Sequence, residues 1–175
     1  TTTGWFRYAT TNPGTCNDTF GTRTPVSGGS ALGAGTTPVA YSQTVATFAP
    51  GTTYFYCAIA QSSLGTRFGA VLSFTTQQGP SVTTTAATAV TANGATLNGT
   101  ANPNGNAAIG WFRYSTTSPG TCNDTFGTRA PTASGSALGA GSAAVPYSEV
   151  IIGLTAGTTY FVCAIASNAI GTSFG

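Results

Sequence analysis

The chain repeats itself, and that constrains its fold more than any single motif does. Shifted by 106 residues, its beginning aligns with its end without a gap. Trp5-Phe6-Arg7-Tyr8 returns as Trp111-Phe112-Arg113-Tyr114, and the nonapeptide Thr15 to Arg23 returns as Thr121 to Arg129. Gly51 to Phe55 returns as Gly157 to Phe161, and Cys57 to Ala60 as Cys163 to Ala166. So long an ungapped self-match marks a tandem duplication, so the chain must fold as copies of one unit. The stretch from Ala70 to about Asn106 occurs once, while its flanks occur twice. The chain is therefore expected to begin partway through one repeat and to stop before the end of the next. Gln77-Gln78-Gly79-Pro80 is the turn-rich break between them, giving domains 1–79 and 80–175.

The unit reads as all-β. Short β-branched and aromatic runs alternate with Gly, Pro, Asn and Ser clusters, and no segment keeps a helical period. The expected strands are Val82–Val90, Ala95–Ala101, Ile109–Thr116, Tyr147–Leu154, Thr159–Ala166 and, in the first copy, Ala70–Thr75. This many short strands in one repeat suggests a two-sheet sandwich. No apolar run reaches the length of a membrane span.

Composition removes most chemistry. The 175 residues include 5 arginines, no lysine, 3 acids and no histidine. Ser-His and Cys-His catalysis and histidine metal sites are excluded. Asp18, Asp124 and Glu149 are too few and too dispersed for paired-carboxylate work. One carboxylate per repeat is also far short of a calcium site. A net charge of +2 without a basic cluster cannot track a phosphate backbone. Neither a metal nor a cofactor is expected, nor a nucleic-acid partner, and the chain is not expected to be an enzyme.

The motifs, taken in order, resemble bacterial fibronectin type III-like repeats. Gly94-Ala95-Thr96-Leu97-Asn98-Gly99-Thr100-Ala101-Asn102-Pro103-Asn104-Gly105 looks like that family's second strand and following turn. Leu154 to Tyr160 resembles its E–F corner, Ala164 to Thr172 its F strand and F–G loop, and Leu72 to Thr76 its closing G strand. On this resemblance, residues 1–79 carry strands C to G of one repeat. Residues 80–175 carry strands A to F of a second, with its final G strand missing. The departure is a long Gly/Ser/Ala-rich insertion, Thr117 to Pro146, which carries a cysteine between strands C and E. The resemblance implies tandem immunoglobulin-like sandwiches in a multi-repeat extracellular surface protein with a spacer or binding role.

Period two then assigns faces. With Tyr160 as the inward corner tyrosine, Val162, Ala164 and Ala166 also face the core, as do Phe112 and Tyr114. Trp111, Arg113, Phe161, Cys163 and Ile165 face outward. Trp111, Phe161 and Ile165 would form an exposed apolar patch, for which the insertion is the natural cover. Four cysteines allow three pairings. The identical spacing in both copies favours Cys16–Cys57 and Cys122–Cys163, each stapling an insertion onto its own C–F face. Disulfides would indicate an oxidising compartment, here extracellular or at the cell surface. Trp5, Arg7, Trp111, Arg113 and Phe161 form a candidate platform for binding or packing. Asn17, Asn98 and Asn123 fit the glycosylation sequon, with an Asx turn as the plainer reading. Two functions are expected to compete. One is a non-catalytic structural repeat protein, a surface array or filament whose partners are copies of itself or neighbouring repeats. The other is an adhesin or carbohydrate-binding accessory module that engages glycans.

Overall fold

Fourteen strands and no helix make up the regular structure of residues 1–175 in the computed structural model. The chain divides into two units, Thr1–Thr76 and Gln77–Gly175.

The first unit is one antiparallel sheet of six strands. Its centre is β1 (Thr2–Ala9), and β2 (Thr22–Thr24) and β3 (Ser30–Gly33) pair along one edge of it. β4 (Thr53–Ser62) pairs along the other edge, with Trp5 opposite Ile59 and Arg7 opposite Cys57. β5 (Gly65–Phe68) and β6 (Leu72–Thr75) follow one another along the far side of β4.

The second unit repeats this sheet and adds another. β7 (Ser81–Thr88) and β8 (Gly94–Asn102) come first, then β9 (Ala108–Ser115), β10 (Thr128–Ala130) and β11 (Ser136–Gly139). β12 (Val145–Ile152), β13 (Phe161–Ser167) and β14 (Thr172–Phe174) complete it. β10 and β11 pair with β9, β9 with β13, and β13 with β14, while β12-β8-β7 form a separate three-stranded antiparallel sheet. Along β8 the buried positions Leu97, Gly99 and Ala101 alternate with half-buried Thr96, Asn98 and Thr100, the pleat of a strand covered on one face. Leu97 and Ala101 from one sheet pack with Phe112, Ala164 and Ala166 from the other, so the two sheets enclose one apolar core in a sandwich-like arrangement. Burying a side chain such as Leu97 or Phe112 contributes about 2 kcal/mol.

The observed strands differ from the expected ones in instructive places. The expected Ala70–Thr75 strand is β6, which starts two residues later at Leu72, and a further short strand, β5, precedes it without having been expected. A short strand, β14, follows β13 across the turn at residues 168–171, where the strand ending at Ala166 was expected to be the last. The insertion is not plain loop, because β10 and β11 continue the sheet beyond β9. β7 ends at Thr88, before the expected Val90, because Ala89 turns to φ 47°. At the head of β4, Tyr54 OH accepts the N–H of Ala49 at 3.0 Å; before β13, Tyr160 OH accepts that of Thr155 at 3.0 Å. Each tyrosine thereby ties the turn ahead of its strand to the sheet.

Candidate functional site

The chemistry-bearing side chains converge on one face of each of the β1–β4 and β9–β13 pairs. Trp5 and Arg7 are two residues apart on β1, so both project to the same face. The loop from Asn12 to Gly21 brings Asp18 over them. Its Oδ1 accepts the Trp5 indole N–H at 2.9 Å and the Arg7 Nε–H at 3.0 Å. Arg23, on β2 directly opposite Arg7, lays its guanidinium 4.6 Å from the Trp5 ring centroid. The same set recurs on β9. Asp124 Oδ1 accepts from Trp111 at 2.8 Å and from Arg113 at 2.9 Å, and Arg129 lies 4.9 Å from the Trp111 ring. Four of the five arginines and two of the three acids are thus used in two identical clusters.

Local sequence explains how the loop holds its shape. Asn17 Oδ1 accepts the N–H of Thr19 at 2.9 Å and of Phe20 at 3.0 Å, an Asx turn. Asn123 makes the same bonds to Thr125 and Phe126. Gly21 follows with φ 51°, and a Cβ there would lie 2.1 Å from the Tyr8 carbonyl oxygen. Only glycine fits. The loop is then closed covalently, by Cys16–Cys57 in the first unit and Cys122–Cys163 in the second, with Cα–Cα distances of 5.9 and 5.7 Å.

Under this cover the outer face becomes a second, smaller core. Trp5, Cys57 and Ile59 cluster with Cys16, Phe20 and Val71. Trp111 is 6% exposed, Cys163 3% and Ile165 0%. Phe161, grouped with them on sequence grounds, is 40% exposed. It starts β13 beyond the reach of the clip, and no strand pairs with it on the side where β6 flanks Phe55.

The platform of Trp5, Arg7, Trp111, Arg113 and Phe161 is therefore not an open one. The tryptophans are buried, and the cation over each ring is Arg23 or Arg129 rather than Arg7 or Arg113. Arg7 and Arg113 instead turn their guanidinium edges to the carboxylate. The repeated nonapeptide, Thr15 to Arg23 and Thr121 to Arg129, carries the one acid and one arginine that complete each cluster. Burial pushes the Asp18 carboxyl upward, but the Trp5 and Arg7 hydrogen bonds and the Arg7 and Arg23 charges outweigh it. Its pKa lies below the ordinary carboxylate value.

The sequon asparagines are engaged by their own surroundings. Asn17 and Asn123 hold the Asx turns through Oδ1, and their Nδ2 groups donate to Thr15 and Thr121 carbonyls. Asn98 Nδ2 donates to the Ala86 carbonyl at 2.9 Å and to Thr88 Oγ1 at 3.0 Å, across the register shift in β7. No helix is long and apolar enough to cross a membrane. No protein-family model matches the chain, and no curated protein matches it.

Proposed function

We propose that this is a non-catalytic extracellular structural repeat protein, built from fibronectin type III-like sandwiches that associate into a surface array or filament. The observation that carries the reading is where the charge goes. The two clusters take up six of the eight charged side chains, and the remaining surface is left mainly to Thr, Ser, Gly, Ala and exposed aliphatics. Leu64 is 94% exposed, Val26 87% and Ile152 82%. Strand edges without lysine and a net charge of only +2 favour association over life as a free monomer. The tyrosine ties before β4 and β13 support the immunoglobulin-like assignment, since a corner tyrosine is a hallmark of that sandwich. Two disulfides support an oxidising setting. Burial of both tryptophans counts against a sugar-stacking platform.

Electron microscopy and sedimentation of the full chain at rising concentration test the reading. Ordered polymers that grow with concentration are expected. A monodisperse monomer that retains a glycan on an affinity column would replace this reading with the adhesin one.

A further inference from the structure

The two units bury their inner sheet faces to different degrees. In the second unit Ala164 and Ala166 are buried beneath β7 and β8, and Phe112 is buried against Tyr147 of β12, the strand beside β8. Their counterparts at the 106-residue offset, Phe6, Tyr41, Ala58 and Ala60, are only half-buried. Residues 38–48 lie over part of this face. The Tyr41 ring packs on Phe6 at 4.9 Å, and Phe48 packs on Tyr8 at 5.4 Å and on Phe74 at 5.2 Å. A groove of about 330 Å³ remains, lined by Phe6, Tyr8, Tyr41, Val45, Phe48 and Phe74 among others.

We propose that this groove and its open backbone edge are the docking site for a two-stranded antiparallel β-hairpin of the β7–β8 sequence type. The repeat identifies the occupant, because the corresponding face already holds that hairpin. Gly99 of β8 comes so close to the second face that a Cβ there would lie 2.8 Å from the Ala164 Cβ; Ala58 offers the same landing point. Thr84 Oγ1 of β7 accepts the Ala164 N–H at 2.8 Å, and Ala58 presents the equivalent N–H. β12 pairs with β8 along its whole length, Tyr147 opposite Gly99. Its counterpart, residues 39–46, has no ladder partner and offers its peptide groups for strand addition. A second copy of the chain is a poor donor, since withdrawing its own β7–β8 opens one face for each face closed.

The proposal does not require polymerisation, so its test is separate from that of the filament. A peptide of residues 79–104 is titrated into the full chain, with hydrogen exchange as the readout. Saturable one-to-one binding is expected, with exchange at residues 39–46 slowed on the order of 100-fold. Peptides carrying Gly99→Val or Leu97→Asn are expected not to bind. In a second form of the test, residues 77–106 are fused directly ahead of Thr1, which reproduces the spacing of the second unit; the same protection and a raised melting temperature are expected. Failure of both forms to protect residues 39–46 overturns the proposal. So does equal binding of the Gly99→Val peptide, or a dimer formed by swapping the chain's own β7–β8.

Discussion

Residues 39–46 and 145–152 occupy the same place at the 106-residue offset, and only the second is a strand. Both keep one long-range anchor. Tyr41 OH donates to the Ile59 carbonyl at 3.1 Å, and Tyr147 OH donates to the Ile165 carbonyl at 2.9 Å. What differs is the neighbour. Residues Val145–Ile152 run beside β8, while residues 39–46 run beside nothing that can complete a ladder. The side chains thus encode where the segment rests on the sheet, and the partner backbone decides whether it is β. This is β-propensity as a property of context more than of residue type.

The largest test of the comparison is covalent. Both disulfides close loops with a sequence separation of 41. In the chain-entropy model, removing either costs about 4 kcal/mol. The consequence is expected to be unequal. Cys57→Ser should unfold the first unit, whose fully buried cluster is only Trp5, Cys57 and Ile59. Cys163→Ser should leave the second unit folded on its sandwich core. Denaturant unfolding followed by hydrogen exchange in each unit reads this directly. Equal sensitivity would mean that the second sheet adds little.

Next in size is the core of the second unit alone. Leu97 is 1% exposed, and Leu97→Ala should cost about 3 kcal/mol. Protection should fall across β12 and β8 together, making residues 145–152 behave like residues 39–46. The first unit should not respond. If β12 stays protected while the core loosens, the ladder partner is not what makes it a strand.

These contrasts also mark what could be read in advance. The all-β class was legible, because period-two alternation and turn residues are local signals. So were the main strands, to within a few residues of their ends. The clusters were only half legible. Trp111 and Arg113 were placed outward by parity, but parity cannot say that a loop will bring Asp124 to both or lay Arg129 on the ring. The failure of residues 39–46 to form a strand was only partly legible in their own residues, which share Val, Tyr and Ser with β12 but put Thr44, Val45 and Ala46 where it has Val150, Ile151 and Ile152. It depends on whether a partner strand stands beside them. Phe161 was grouped with Trp111 by face, but cover is set by how far along the strand the clip reaches.

A smaller effect is expected at the tyrosine anchors. Tyr147→Phe leaves the Ile165 carbonyl without this donor in a buried setting and should cost about 1 to 2 kcal/mol. Tyr41→Phe, at a half-buried site, should cost less. Burial pushes both phenols above their ordinary pKa, Tyr147 further. A raised folded-state pKa gives stability that is complete below the unfolded value, about 10, and is lost as pH rises through the folded one. The second unit should therefore weaken in alkali, and Tyr147→Phe should remove that dependence while lowering stability at neutral pH. Alkaline melting curves of wild type and both variants make the measurement.

The smallest effect lies at the acid end, where the two clusters can be set against each other. Asp18 has a lowered pKa, so the sign is opposite to that of the tyrosines. Its contribution is present above the unfolded carboxylate value of about 4 and fades as pH falls through the folded value. The side chain is 41% exposed, so water screens much of the Arg7 pair and the loss should be modest. Its visible consequence should be local. Protonation weakens the Arg7 bond, frees the loop from Asn12 to Gly21 and lets water reach Trp5. Indole emission should then shift to the red below pH 4, well before the sheet unfolds, because Cys16–Cys57 still tethers the loop. With Trp111→Phe as background, Trp5 is the only emitting indole, and Asp18→Asn should bring the shifted emission to neutral pH. If the emission of Trp5 does not move in Asp18→Asn, the disulfide and the Arg23 stack hold the loop without the carboxylate.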